Sequence, residues 1–166
     1  MSLCWSGFFI RCVLLFSTAS ILLFSAINTH AAEKINTLEK AGFFGYEASG
    51  VAIRGTDTVA YFTQGQPVKG SDDFTTEWQG ATWKFVSQEH LDLFVDAPEK
   101  YAPQYGGYCA YGVVKGNLVK VEPENWSIID DKLYLNFNGS VQKTWEKDTQ
   151  KYIQLADAKI NVLLAQ

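Results

Sequence analysis

A predominantly apolar stretch from Cys12 to Ile27 opens this chain, and its position decides what the remainder can fold into. It follows Met1 and a lone basic residue, Arg11, and gives way to Asn28-Thr29-His30 and then Ala31-Ala32. A basic start, an apolar middle and a small-residue end is the order of a secretory signal peptide. Cleavage after Ala31 puts Thr29 and Ala31, both small, at the third and last positions before the cut, whereas cleavage after Ala32 puts His30 at the third. The expected organisation is a signal peptide over residues 1–31, a lead-in over 32–50 and one domain over 51–166, exported to a periplasmic or extracellular compartment. The alternative is an uncut anchor extended by Phe8-Phe9-Ile10, but Arg11 interrupts a span that needs about 20 apolar residues. No second long apolar run follows, so no membrane contact is expected after cleavage.

The remaining chain, about 135 residues, is the size of one domain with its own core. Without Arg11, 13 basic residues face 18 acidic ones, a net charge of −5. With no block of Lys and Arg, nucleic acid is not an expected partner, because phosphate neutralisation needs clustered positive charge. Cys4 and Cys12 leave with the signal, so Cys109 remains as a single cysteine and no internal disulfide can form. An odd thiol in an oxidising compartment is either a reactive or metal-binding group or a buried inert one.

Asn36 to Lys40 reads as one helical turn. Phe74–Trp78 and Thr82–Val86, aromatic and β-branched around Gln79-Gly80-Ala81, read as a β-hairpin. Ser87 then caps an amphipathic helix carrying Leu91, Phe94 and Val95, which stops before Pro98. A second hairpin runs from Trp126 to Ile129, turns at Asp130-Asp131 and returns through Leu133 to Phe137. Helices follow over about 140–147 and, after Asp148 as cap, 150–164. The expected class is α+β: a small single domain of short antiparallel hairpins with packed helices. The carboxylate pairs Asp72-Asp73 and Asp130-Asp131 fall in expected turns and are read as solvated.

Several strings resemble the YHS domain family. Phe85-Val86-Ser87, Phe94, Pro98 and Tyr101 follow the Trp78–Trp83 hairpin as in that family, and Gly55-Thr56-Asp57-Thr58-Val59-Ala60-Tyr61-Phe62 resembles its opening segment. Tyr101-Ala102-Pro103-Gln104-Tyr105-Gly106-Gly107-Tyr108-Cys109-Ala110-Tyr111 resembles a longer exported branch, so the likeness runs from about Val51 to Ala156. The resemblance implies a small metal module with one cysteine in the opening segment and two around the Phe-x-Ser turn. Those positions hold Ala60, Val86 and His90 here, so only His90 keeps a ligating side chain. In some members of the exported branch the position of Cys109 is selenocysteine, which suits a redox or soft-metal role.

Cys109 follows Gly106-Gly107, where the backbone can turn sharply. If Tyr108–Lys115 is a short helix closed by Gly116, the thiol sits in its first turn and its pKa is lowered. If the segment is a strand, Cys109 shares a face with Tyr111 and that argument disappears. The expected site is thus a soft, copper-like ion held by Cys109, with His90 or a nearby group as second ligand and with coordination shared in a dimer as a further option. The protein is then not an enzyme. The alternatives are a thiol oxidoreductase using Cys109 with a partner's resolving thiol, or an interaction module with an inert buried cysteine. A Cys-His hydrolase is not expected, with His90 the lone histidine after cleavage. Asp57, Tyr61, Tyr108 and Tyr111 are candidate pocket residues, although Asp57 reads more simply as a cap and the tyrosines as core.

Overall fold

The computed structural model describes residues 33–41 and 45–166; the expected signal peptide and its cleavage site lie outside them. Strands β1 (Leu38–Ala41) and β2 (Gly45–Ala48) pair antiparallel. The helical turn expected over Asn36 to Lys40 is therefore replaced by extended chain. Asn36 explains the difference: its Oδ1 accepts the Leu38 N–H at 3.0 Å, a local bond that competes with helix. Its remaining groups are also taken, N–H by the Gly106 carbonyl at 2.7 Å, Nδ2 by the Gly107 carbonyl at 2.9 Å and C=O by the Ile53 N–H at 3.0 Å. With Ile35, Asn36 and Thr37 buried, this part of the lead-in is packed into the domain.

Strand β3 (Thr56–Asp57) pairs with β4 (Val68–Lys69), and between them lies the one-turn helix α1 (Ala60–Thr63). The aromatic hairpin follows as β5 (Ser71–Trp78) and β6 (Ala81–Phe85). Gln79 and Gly80 at its tip both have positive φ, as a two-residue turn matching strand twist requires. Asp72 and Asp73 belong to β5 rather than to a turn, at an irregularity in register between Ser71 and Thr75, and both are exposed. Asp130 and Asp131 do form the tip of the second hairpin, β7 (Trp126–Ile129) and β8 (Lys132–Leu135).

Helix α2 (Gln88–Asp96) begins where Ser87 Oγ accepts the His90 N–H at 3.2 Å, and it ends two residues before Pro98 opens α3 (Pro98–Tyr101). Ser87→Ala should cost about 1 kcal/mol, the usual loss of an N-cap, read as a shift in urea midpoint at constant slope. Helix α4 (Ala110–Val114) is short, and α5 (Gly139–Trp145) and α6 (Thr149–Leu164) are capped by Asn138 and Asp148. The fold is α+β, and among the described residues the strands pair only in twos. Isolated hairpins are marginal, so the helices supply the missing burial. One core gathers Trp83, Phe85, Phe94, Tyr61, Leu133 and Leu135; the other gathers Trp145, Tyr134, Tyr105, Tyr108, Val113 and Ala156. No described helix is long and apolar enough to cross a membrane.

Candidate functional site

Two separate arrangements hold the residues singled out from sequence. The first is centred on Asp57, whose side chain is fully buried. Its Oδ1 accepts the N–H of Val59 at 2.9 Å and of Ala60 at 3.2 Å, capping the entry to α1. Its Oδ2 accepts the N–H of Val86 at 2.9 Å and lies 2.6 Å from His90 Nδ1. The other ring nitrogen, Nε2, is 3.3 Å from Thr63 Oγ1. One carboxylate thus ties together β3, α1, the end of β6 and α2. Val86 and Ala60 contribute only backbone amides, which cannot ligate a metal, and Nδ1 of His90 is committed to Asp57.

The second arrangement surrounds Cys109, the residue that precedes α4. The segment is helical as expected but only over Ala110–Val114, so Cys109 is the residue before the helix and not part of its first turn, and Gly116 follows with φ +83°. Cys109 is 1 % exposed, and its sulfur accepts the Gly112 N–H at 3.3 Å. Its thiol points at Asn136 Oδ1, 3.8 Å away, and the same oxygen accepts the Tyr111 N–H at 3.4 Å. The lowered pKa expected from the helix start does not hold. Burial pushes the thiol up, and the amides of Gly112, Phe137 and Tyr111, which favour the anion, only partly offset it. A helix of five residues carries too few aligned peptides to reverse that balance.

The sulfur's residue also borders a cavity of about 290 Å³ walled by Tyr111, Val119, Phe137 and Val141, with Lys115 among its polar lining. Lys115 Nζ stands 5.1 Å from the centre of the Tyr111 ring. Tyr111 also packs edge-on against Tyr152, with ring centres 5.2 Å apart. Tyr61 and Tyr108 are core residues whose hydroxyls donate to the carbonyls of Pro123 and Glu33, both at 2.9 Å. Burial pushes the Tyr108 phenol up to about 12.

The structure therefore brings Asp57 to His90 and Tyr111 to Cys109, while His90 and Cys109 share no hydrogen-bond partner. Among the described residues no three His, Cys, Asp or Glu side chains converge on a metal position. Sequence reasoning missed Asn136, which is fully buried with its Nδ2 unpartnered. The strand before it is buried at Leu133, Tyr134 and Leu135 without alternation, so periodicity gave no signal for a buried Asn136.

An aromatic hairpin feeds a Ser-capped helix, and a buried carboxylate ties the two together in a small α+β domain. Residues 59–105 match the family model described as the YHS domain, so that stretch of the chain is similar to that family. The family is associated with metal binding. Asp57 lies two residues before the matched stretch, His90 within it and Cys109 four residues after it. No curated protein and no solved structure gives a significant match.

Proposed function

We propose that this is an exported YHS-domain protein that carries a soft, copper(I)-like ion on the Cys109 sulfur, with the second ligand supplied from outside the chain. The observation that carries this reading is the thiol bordering an apolar-walled cavity while backbone N–H groups face its sulfur. The family's own ligand positions do not fit a metal, since Ala60 and Val86 have no donor side chain and His90 is held by Asp57. The Cys109 site does fit one: a polarisable sulfur whose nearest oxygen is the neutral amide Oδ1 of Asn136, with no carboxylate beside it, suits a soft ion of low coordination number. A bound ion of that kind supplies a thiolate bond in exchange for the thiol proton. Gly112 then stabilises the sulfur anion through its N–H, Tyr111 and Phe137 exclude water, and the cavity leaves room for an incoming thiol or a second copy.

Burial favours the protonated thiol, which weighs against the rival reading of Cys109 as a nucleophile attacking disulfides at neutral pH. Anaerobic titration of the protein with Cu(I) against a chromophoric chelator tests both. Uptake should disappear in Cys109→Ser and persist in His90→Gln. Retention of copper by Cys109→Ser sinks the proposal. Rapid reaction with peroxide or a model disulfide, without copper uptake, transfers the site to thiol redox chemistry.

A further inference from the structure

We propose that the cleft between the end of α6 and the 102–106 loop binds a small amphipathic organic cation, an amine on an apolar body. The cleft is open to solvent and has a volume of about 720 Å³, within the range of small-molecule sites. Trp78 and Tyr105 line it with aromatic surface, and Ile160 and Leu164 from α6 add aliphatic surface. Its charged lining residues are two carboxylates, Glu99 and Asp157, and one ammonium, Lys34, so the local balance is negative. The last turn of α6, where helix carbonyls carry the negative end of the dipole, also lines the cleft and contains no basic side chain.

The wall is held by hydrogen bonds to the lead-in segment. Tyr105, Gly106 and Gly107 all have positive φ, at 59°, 63° and 78°, and Asn36 holds the carbonyls of both glycines. From that loop the Tyr105 hydroxyl donates to Asp157 Oδ1 at 3.0 Å and to the Ile153 carbonyl at 3.4 Å. A carboxylate oriented by one O–H donor still has lone pairs for a second donor, which an ammonium provides. Aromatic faces attract the same charge, and the apolar wall takes up the body that carries it. An anion meets Glu99, Asp157 and a helix C-terminus instead, and a neutral analogue leaves the carboxylates without a counter-charge.

Calorimetric titration with phenethylamine, 2-phenylethanol and phenylacetate, matched in body and differing in charge, decides the matter. The amine should bind at least about tenfold more tightly than the alcohol, and phenylacetate should give no heat up to about 10 mM, where even a millimolar site fills. Asp157→Asn, which keeps an acceptor for Tyr105, should weaken the amine by about tenfold, and Glu99→Gln should weaken it in the same direction. Should Asp157→Asn fail to fold, Glu99→Gln carries the test alone. Equal affinity for amine and alcohol, or absence of amine binding over the same range, overturns the proposal. Unchanged amine affinity in every folded carboxylate variant does so too. Cys109→Ser should bind the amine as the unaltered protein does, so the copper reading and this one fail independently.

Discussion

Asp57→Ala should lower folding stability by about 3–5 kcal/mol, the cost of leaving buried hydrogen-bonding groups without their shared partner. The carboxylate is fully buried and accepts the N–H groups of Val59, Ala60 and Val86, and it lies within hydrogen-bond distance of the His90 ring. Alanine removes every acceptor at once and leaves three backbone N–H groups and the His90 ring facing the space the carboxylate filled. Asp57→Asn should fall between the two. Its oxygen can keep the Val59 and Ala60 amides, but its NH₂ group turns a donor toward Val86 and His90. Urea unfolding at constant slope measures both, and a loss below about 1 kcal/mol in Asp57→Ala would show that this carboxylate is not what joins β3 to α2.

Gly106→Ala is the second large effect, expected at about 2–4 kcal/mol from left-handed backbone strain together with broken buried hydrogen bonds. Gly106 has φ +63°, and a β-carbon there would lie 1.9 Å from the Lys34 carbonyl oxygen. That oxygen is backbone, so residues 34–36 of the lead-in must move, and with them the bonds of Asn36 to Gly106 and Gly107. Gly116 isolates the conformational part of the cost. It has φ +83°, and a β-carbon added there would meet nothing within 4 Å, so Gly116→Ala should cost only about 1 kcal/mol. Equal losses in the two variants, compared by urea midpoint, would mean that the contact with Lys34 contributes nothing.

These two positions show how unevenly the molecule can be read from its residues. Both hairpins are legible because a short polar or glycine tip between β-branched and aromatic runs leaves few alternatives, although the first tip is Gln79-Gly80 alone and Ala81, read as part of the turn, pairs with Trp78 in the strand. The Ser87 and Asp148 caps are legible because a short polar side chain ahead of an amphipathic run satisfies free helix amides locally. Asn36 is misleading as sequence because its partners, Gly106 and Gly107, are 70 residues or more away in the chain. The Asp72-Asp73 pair misleads because an irregular strand and a turn share the same polar signature.

Of the site, residue types and their spacing mark Cys109 as the lone thiol of the domain and Asp57 as a capping carboxylate, since both inferences need only local chemistry. Tertiary structure decided the rest. Folding joined His90 to Asp57 instead of to sulfur, and placed Asn136 beside the thiol. It also set the thiol's pKa, because desolvation depends on every atom packed around a group, and neighbours along the chain contribute only a few of them.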